Sequence, residues 1–312
     1  MADWTEADIP DLTGRTMVVT GANSGLGLRS ATVLAEHGAR VVLACRSAER
    51  GETAVAAITG TGGAADLVLL DLADLASVRA AAERIRELTG DRLDVLMNNA
   101  GVMATPKQRT QDGFELQFGS NHLGHAALTW LLMPALRATP ASRVVTLSSM
   151  VARIGRLNFT DPNYRNRWYE PWLAYGQAKL ANAVFARELD RRLRAAGLDV
   201  RSIAAHPGYS RTQLTANMSR SRGGLRGAIT ERVTDFGNSL IGQDVRVGVL
   251  PQLFAATSAD AEGGRYYGPR GFQQMHGSPK EVAFPPGARQ ESVGPRLWEL
   301  TAELTGVSPE PA

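Results

Sequence analysis

Between Gly14 and Ile203, six short apolar runs alternate with longer Ala-rich segments of helical spacing. That alternation restricts the chain to a parallel sheet with helices on both faces. The runs are Thr16 to Thr20, Arg40 to Cys45, Asp66 to Leu70, Leu93 to Met97, Arg143 to Leu147 and Asp199 to Ile203. None keeps a strict apolar/polar alternation, as expected of strands buried on both sides. Between the first two runs, Leu28, Ala31, Leu34 and Ala35 recur at helical spacing and Gly38 follows as a C-terminal cap, which makes one strand–helix–strand unit.

No fixed-period repeat and no linker divides the chain, so 1–312 reads as one α/β domain with a doubly wound parallel sheet of about seven strands. After Thr212 the pattern loosens. Ser219 to Gly224 and Gly263 to Gly294 read as loops, separated by a helix near Gln243 to Ala256. Residues 150–174 and 209–240 are expected to form loops on the substrate side, and 258–312 a C-terminal extension.

A net charge of +3 with 21% charged residues excludes a polyion binder, so no nucleic-acid partner is expected. The single cysteine, Cys45, leaves no internal disulfide and no Cys-rich zinc site, which fits a reducing compartment. The first residues carry neither a basic leader nor an apolar run. The longest largely apolar stretch, Leu123 to Leu136, is too short to cross a bilayer. A soluble, cytoplasmic protein with no membrane partner is the expectation.

The link between the first run and the first helix is Thr20-Gly-Ala-Asn-Ser-Gly-Leu-Gly27. Glycines at such a turn let backbone N–H groups and a helix N-terminus approach a diphosphate, whose charge the helix dipole favours. Gly21, Asn23, Ser24, Gly25, Leu26 and Gly27 are therefore candidate cofactor contacts in a Rossmann-type fold, with spacing G-x-x-x-G-x-G in place of G-x-G-x-x-G. The second run ends in Arg46, not in the acid that would hold an adenosine ribose. A guanidinium pairs bidentately with a 2′-phosphate that a carboxylate would repel, so Arg46 argues for NADP, NADPH being preferred over NADH.

Further along stand Asp71-Leu72, Asn98-Asn-Ala-Gly101, Asn121, Ser149, Tyr175-Gly-Gln-Ala-Lys179, Pro207-Gly208 and Thr212. With the glycine turn, and in this order, they resemble the short-chain dehydrogenase/reductase family from about Leu12 to Thr212. Ala44-Cys-Arg46 and Leu173 to Asn182 are most similar to its retinol-dehydrogenase and WW-domain-oxidoreductase branch. The resemblance implies that Asp71 and Leu72 meet the adenine, that Asn99, Ala100 and Gly101 line the cofactor cleft, that Thr212 contacts the nicotinamide amide, and that Pro207 and Gly208 also bind the cofactor. It also implies a catalytic set of Asn121, Ser149, Tyr175 and Lys179, with Lys179 on the nicotinamide ribose and Asn121 completing a water-linked proton path. Of the serine pair, the family pattern selects Ser149 over Ser148. Dimers or tetramers are frequent among such proteins, so a homodimer or homotetramer is an expectation by analogy.

Tyr175 and Lys179 are one helical step apart and share a face. Bringing a tyrosine from its usual pKa near 10 to about 7 takes roughly 4 kcal/mol, within reach of an ammonium and an oxidised nicotinamide together. Tyr175 would then protonate a carbonyl oxygen in reduction and deprotonate an alcohol in oxidation, with Ser149 hydrogen-bonded to that oxygen. The expected substrate is a small-molecule carbonyl or alcohol.

The spacing from Ser149 to Tyr175 is longer than the shortest relatives need, and the insertion carries Phe159, Tyr164, Trp168, Tyr169 and Trp172. It reads either as the wall of a pocket for a bulky apolar substrate or as a folded surface loop or subunit contact. Arg153, Arg156, Arg165 and Arg167 could attract an acidic substrate, but read rather as solvated charge. His122 and His125 lack an accompanying carboxylate pattern and read as packing or hydrogen-bonding residues, so no metal is expected. His206 likewise reads as structural. Two alternatives from other classes remain: a non-catalytic NADP(H)-sensing protein, and a sugar-nucleotide epimerase or dehydratase.

Overall fold

The computed structural model describes residues 3–208, 245–271 and 274–311. The central sheet contains β1 (Thr16–Thr20), β2 (Arg40–Cys45), β3 (Ala64–Leu69), β4 (Val95–Asn98), β5 (Ser142–Leu147), β6 (Val200–Ala205), β7 (Tyr266–Pro269) and β8 (Pro279–Glu281). Their order across the sheet is β3-β2-β1-β4-β5-β6-β7-β8, and every neighbouring pair is parallel except β7 with β8.

Helices α1 (Gly25–Glu36), α2 (Ala48–Thr59) and α7 (Leu250–Thr257) cover one face of the sheet. The other face is covered by α3 (Leu75–Thr89), α5 (Gly124–Arg137), α6 (Pro171–Ala195) and α8 (Val293–Thr305). Met17 and Val19 point into the first layer and Val18 into the second, so one strand feeds both cores. This explains why the runs are apolar throughout. Helix ends follow local chemistry. Asp74 caps α3 by accepting from the Ala76 and Ser77 N–H groups, and Gly90 ends it with φ +60. Glu170 caps α6, whose first residue is Pro171.

Among the described residues the sheet has eight strands, close to the about seven expected. One expectation needs correction: the Gly- and Pro-rich stretch 263–294 is not all loop, because it supplies β7 and β8. Those strands are only four and three residues long. They are held by pairing with β6 through Ala204↔Tyr266 and Ala205↔Tyr267, a tertiary cause without a local pattern. The helix expected near 243–256 appears as helical residues 245–248 followed by α7. Thr212, the stretch Ser219 to Gly224 and the loop expected over 209–240 lie outside the described residues.

The Leu123-to-Leu136 stretch is essentially α5, buried beneath the sheet, and among the described residues no helix is long and apolar enough to cross a membrane. The strand order reverses direction between β1 and β4, which opens a crevice at the carboxyl ends of the strands. Thr20, Asn98, Leu147 and Ala205 end β1, β4, β5 and β6, so the segments that follow them meet there.

Candidate active site

At the end of β1 the chain turns through Gly21 (φ +66) and Gly25 (φ +54) into α1. A Cβ on Gly27 would lie 2.4 Å from the Gly21 carbonyl oxygen and 2.5 Å from Asn99 Nδ2, so the turn closes only around glycine. Ser24 occupies the N-cap of α1 without a side-chain cap bond, and nothing lies within 4 Å of where a Gly25 Cβ would project. An open, glycine-built helix start of this kind suits the diphosphate of a dinucleotide. Beneath it, the Cys45 thiol accepts from the Ala22 and Asn23 N–H groups, and burial pushes its pKa up to about 11. Arg46 follows β2 on the exposed surface, and Asp71 accepts from the Ala73 N–H at 2.9 Å, turning the chain after β3.

Thr20 ties this turn to the segment after β4. Its hydroxyl accepts from the Asn99 and Ala100 N–H groups, both at 2.9 Å, while Asn99 Nδ2 donates to the Thr20 carbonyl at 2.8 Å. Gln252 of α7 donates to Asn99 Oδ1 at 3.3 Å and to Ser30 Oγ at 2.6 Å. Asn98 instead faces the core, where it donates to Thr129. Thr20 and Gln252 brace the candidate site, a role that the sequence reading gave to neither; the threonine opens the glycine turn, whereas nothing near Gln252 in sequence marks it.

Asn121 lies in a π-helical turn, Gly119–Leu123, between the short α4 (Leu116–Phe118) and α5. Such a widened turn redirects a side chain from the helix axis. Asn121 Oδ1 accepts from the Val102 N–H and Nδ2 donates to the Val102 carbonyl, both at 2.8 Å. A methyl at Gly101 would sit 3.2 Å from Asn121 Oδ1 and 3.4 Å from Lys179 Nζ, so the Asn99-to-Gly101 turn, Asn121 and Lys179 converge. His125 Nδ1 donates to the Asn121 carbonyl at 2.9 Å, and its Nε2 meets Thr20 Oγ1 at 2.9 Å. Burial pushes His125 down to about 3 and keeps it neutral. His122 meets Thr301 Oγ1 at 2.9 Å. Among the described residues no group of three His, Cys, Asp or Glu side chains is placed to hold a metal.

The two serines after β5 take different partners. Ser148 donates to the Lys179 carbonyl at 2.7 Å, pinning α6 to the sheet. Ser149 shares a hydrogen bond with the Tyr175 phenol and also accepts from the Val151 N–H at 3.3 Å. Tyr175 and Lys179 are both buried on α6, and Lys179 Nζ donates to the Leu147 carbonyl at 3.0 Å and stands 5.9 Å from the Tyr175 ring centroid.

The protein's own groups do not bring Tyr175 towards neutrality. Burial pushes its pKa up to about 12, against which only the Ser149 hydrogen bond acts, and burial pushes Lys179 down to about 8. At neutral pH the pair is a neutral phenol beside an ammonium. At the end of β6, Gly208 (φ +77) donates its N–H to His206 Nδ1 at 3.2 Å, and His206 Nε2–H donates to Gln274 at 3.1 Å. Burial pushes His206 down to about 4.

The insertion is pinned down. Asp161 accepts from the Arg165, Asn166 and Arg167 N–H groups, and the Arg167 guanidinium stacks 3.4 Å from the Tyr164 ring centroid and donates to Gln177. Arg167 is therefore built into the loop, contrary to its reading as solvated charge; Arg153, Arg156 and Arg165 are exposed. Tyr164 and Tyr169 turn inward. Trp168 is 74% exposed, and Trp172 stands edge-on to Tyr175 with ring centroids 6.3 Å apart.

Residues 15–223 match the model of the short chain dehydrogenase family. The chain is 38% identical over 310 residues to retinol dehydrogenase 13 of Homo sapiens, covering 97% of this chain and 87% of that one. It is 40% identical to dehydrogenase/reductase SDR family member 13 of Bos taurus, over 96% of this chain and 76% of that one. Among solved structures, an uncharacterised protein from Mycobacterium paratuberculosis superposes with a TM-score of 0.83 at 41% identity, covering 98% of this chain and 99% of that one. A candidate NAD(P)-dependent gluconate 5-dehydrogenase from Beutenbergia cavernae, crystallised with NADP at low occupancy, gives a TM-score of 0.60 at 29% identity over 82% of this chain and 95% of that one.

Proposed function

The chain belongs to the short-chain dehydrogenase/reductase family, like the retinol dehydrogenases it resembles, and on that premise we propose that it interconverts a carbonyl and an alcohol with NADP(H) as cofactor. The observation that carries this reading is the convergence of Ser149, Tyr175 and Lys179 at the strand ends beside the glycine turn. When bound, the nicotinamide would accept or deliver hydride and, in its oxidised form, bring a positive charge to the site.

Tyr175 holds the proton that a reduced carbonyl oxygen needs, and takes it back in oxidation. Ser149, hydrogen-bonded to the phenol, orients the same oxygen. Lys179 keeps its ammonium within the site by donating to the Leu147 carbonyl, leaving two N–H donors for a ribose and a water. Asn121 spends its side chain on Val102, so any proton path through this residue runs by its backbone carbonyl. The first-turn amides of α1 and the Asn99-to-Gly101 turn would hold the diphosphate and nicotinamide side. Arg46, exposed beyond β2, would pair with a 2′-phosphate, which supports NADP over NAD in this reading. The edge-on Trp172 and the names of the retinol-directed relatives favour a bulky apolar substrate.

The test is NADPH and NADH oxidation by the purified protein against a panel of apolar aldehydes and ketones. NADPH is expected to be used in preference. Arg46→Ala should raise the KM for NADPH about 10- to 100-fold while leaving that for NADH within twofold, as fits loss of a charge-assisted pair. Preference for NADH would overturn the cofactor assignment, and failure to oxidise either nucleotide would overturn the activity.

A further inference from the structure

Gln117 is fully buried one helical turn before Asn121, and its amide joins segments far apart in sequence. Its Oε1 accepts from the Ala104 N–H at 2.8 Å, and its Nε2 donates to the Pro171 carbonyl at 2.9 Å and to the Tyr169 hydroxyl at 3.0 Å. Pro171 is the first residue of the helix bearing Tyr175 and Lys179.

The surroundings fix this amide in place. The Tyr169 hydroxyl has the Thr105 carbonyl at 2.9 Å and Glu115 Oε1 at 3.2 Å as acceptors. The Glu115 carboxylate, itself buried, accepts from the Gln117 and Phe118 N–H groups, and the Glu115 N–H donates to Asn163 in the insertion. The segment after Gly101 is consequently clamped twice, at Val102 by Asn121 and at Ala104 by Gln117. Ala104 carries φ +48, a left-handed conformation that a residue with a Cβ keeps only when its surroundings impose it.

We propose that Gln117 and Tyr169 form a positioning unit that sets the Asn121 side of the site against the start of the helix carrying Tyr175 and Lys179. The aromatic insertion then contributes to catalytic alignment through Tyr169, apart from any contact its tryptophans make with substrate. The unit acts through other residues and touches no reacting atom. The inference rests on the reading of Asn121, Ser149, Tyr175 and Lys179 as the catalytic centre.

Two variants test it: Gln117→Met, which keeps the volume and removes both amide functions, and Tyr169→Phe, which keeps the ring. Each should speed amide hydrogen exchange in 102–105 and 171–175 at least about tenfold, lower kcat about tenfold and leave the KM for carbonyl and the Kd for NADPH within twofold, as misalignment without lost binding predicts. If Gln117→Met does not fold, Tyr169→Phe gives the same readouts. Local exchange and kcat equal to wild type in a folded variant would overturn the proposal, as would kcat, KM and Kd worsening together with exchange rising throughout the chain. A wild type that turns over no carbonyl overturns the functional reading instead, a result distinct from active wild type matched by both variants.

Discussion

Ser148 and Ser149 are neighbours with opposite assignments, because the residues after β5 send one hydroxyl to the Lys179 backbone and the other to the Tyr175 phenol. Ser149→Ala should therefore lower kcat about 100-fold with melting temperature almost unchanged, the scale of a lost hydrogen bond to a reacting oxygen. Ser148→Ala should cost about 1 kcal/mol of stability and less than tenfold in kcat. Steady-state kinetics with thermal melts of both variants distinguish the roles, and the reverse pattern would show that the wrong serine has been chosen. At this scale much was legible: the glycine turn, the Tyr175/Lys179 spacing and Arg46 are visible as residue types at fixed separations. The direction of the Tyr175 shift was not, because burial depends on everything that packs around the phenol, and burial outweighs the Ser149 hydrogen bond.

Helix α6 and the insertion before it show what an element adds. The helix places Tyr175 and Lys179 on one face, and its first turn carries Trp172 beside the phenol, while Trp168 projects into solvent. Trp172→Ala should raise the KM for a bulky apolar carbonyl about tenfold and leave that for a two- or three-carbon aldehyde unchanged, as expected for one apolar wall. Trp168→Ala should change neither. Equal KM values for wild type and Trp172→Ala on the bulky substrate would remove Trp172 from the substrate path. The insertion's aromatic content was visible in the sequence, but its division into inward and outward rings was not. That division is set by Asp161, which folds the loop onto itself, and by the contacts of Arg167 with Gln177 and of Gln117 with Tyr169, which tie it to other segments. The same cause hid β7 and β8, whose strand character comes from pairing at the sheet edge.

Across the whole molecule, burial of neutral histidines links folding to pH. His122 and His125 are fully buried and pushed down to about 3, and His206 to about 4, below an ordinary value near 6.5. The unfolded chain therefore binds more protons below pH 6.5, so stability is present at neutral pH and is lost as pH falls from about 6.5 towards 3 to 4. By pH 5 each of these sites costs about 2 kcal/mol, from roughly 1.4 kcal/mol per pH step. Thermal melts between pH 7.5 and 5 should show a steady fall in Tm that is shallower in His122→Gln; a flat profile would contradict neutral burial. The doubly wound architecture was readable from the apolar runs because each strand feeds both cores. The convergence of four strand ends on one crevice follows from the reversal of strand order between β1 and β4.

The claim on which these scales meet is that Tyr175 exchanges the proton while Ser149 and Lys179 hold it in place. Its most direct test is kcat for NADPH-dependent carbonyl reduction by Tyr175→Phe, with NADPH affinity measured on the same protein. The account predicts kcat reduced about 1,000-fold, within the range of a lost general acid, with Kd for NADPH within threefold of wild type. Turnover within a few-fold of wild type would contradict it.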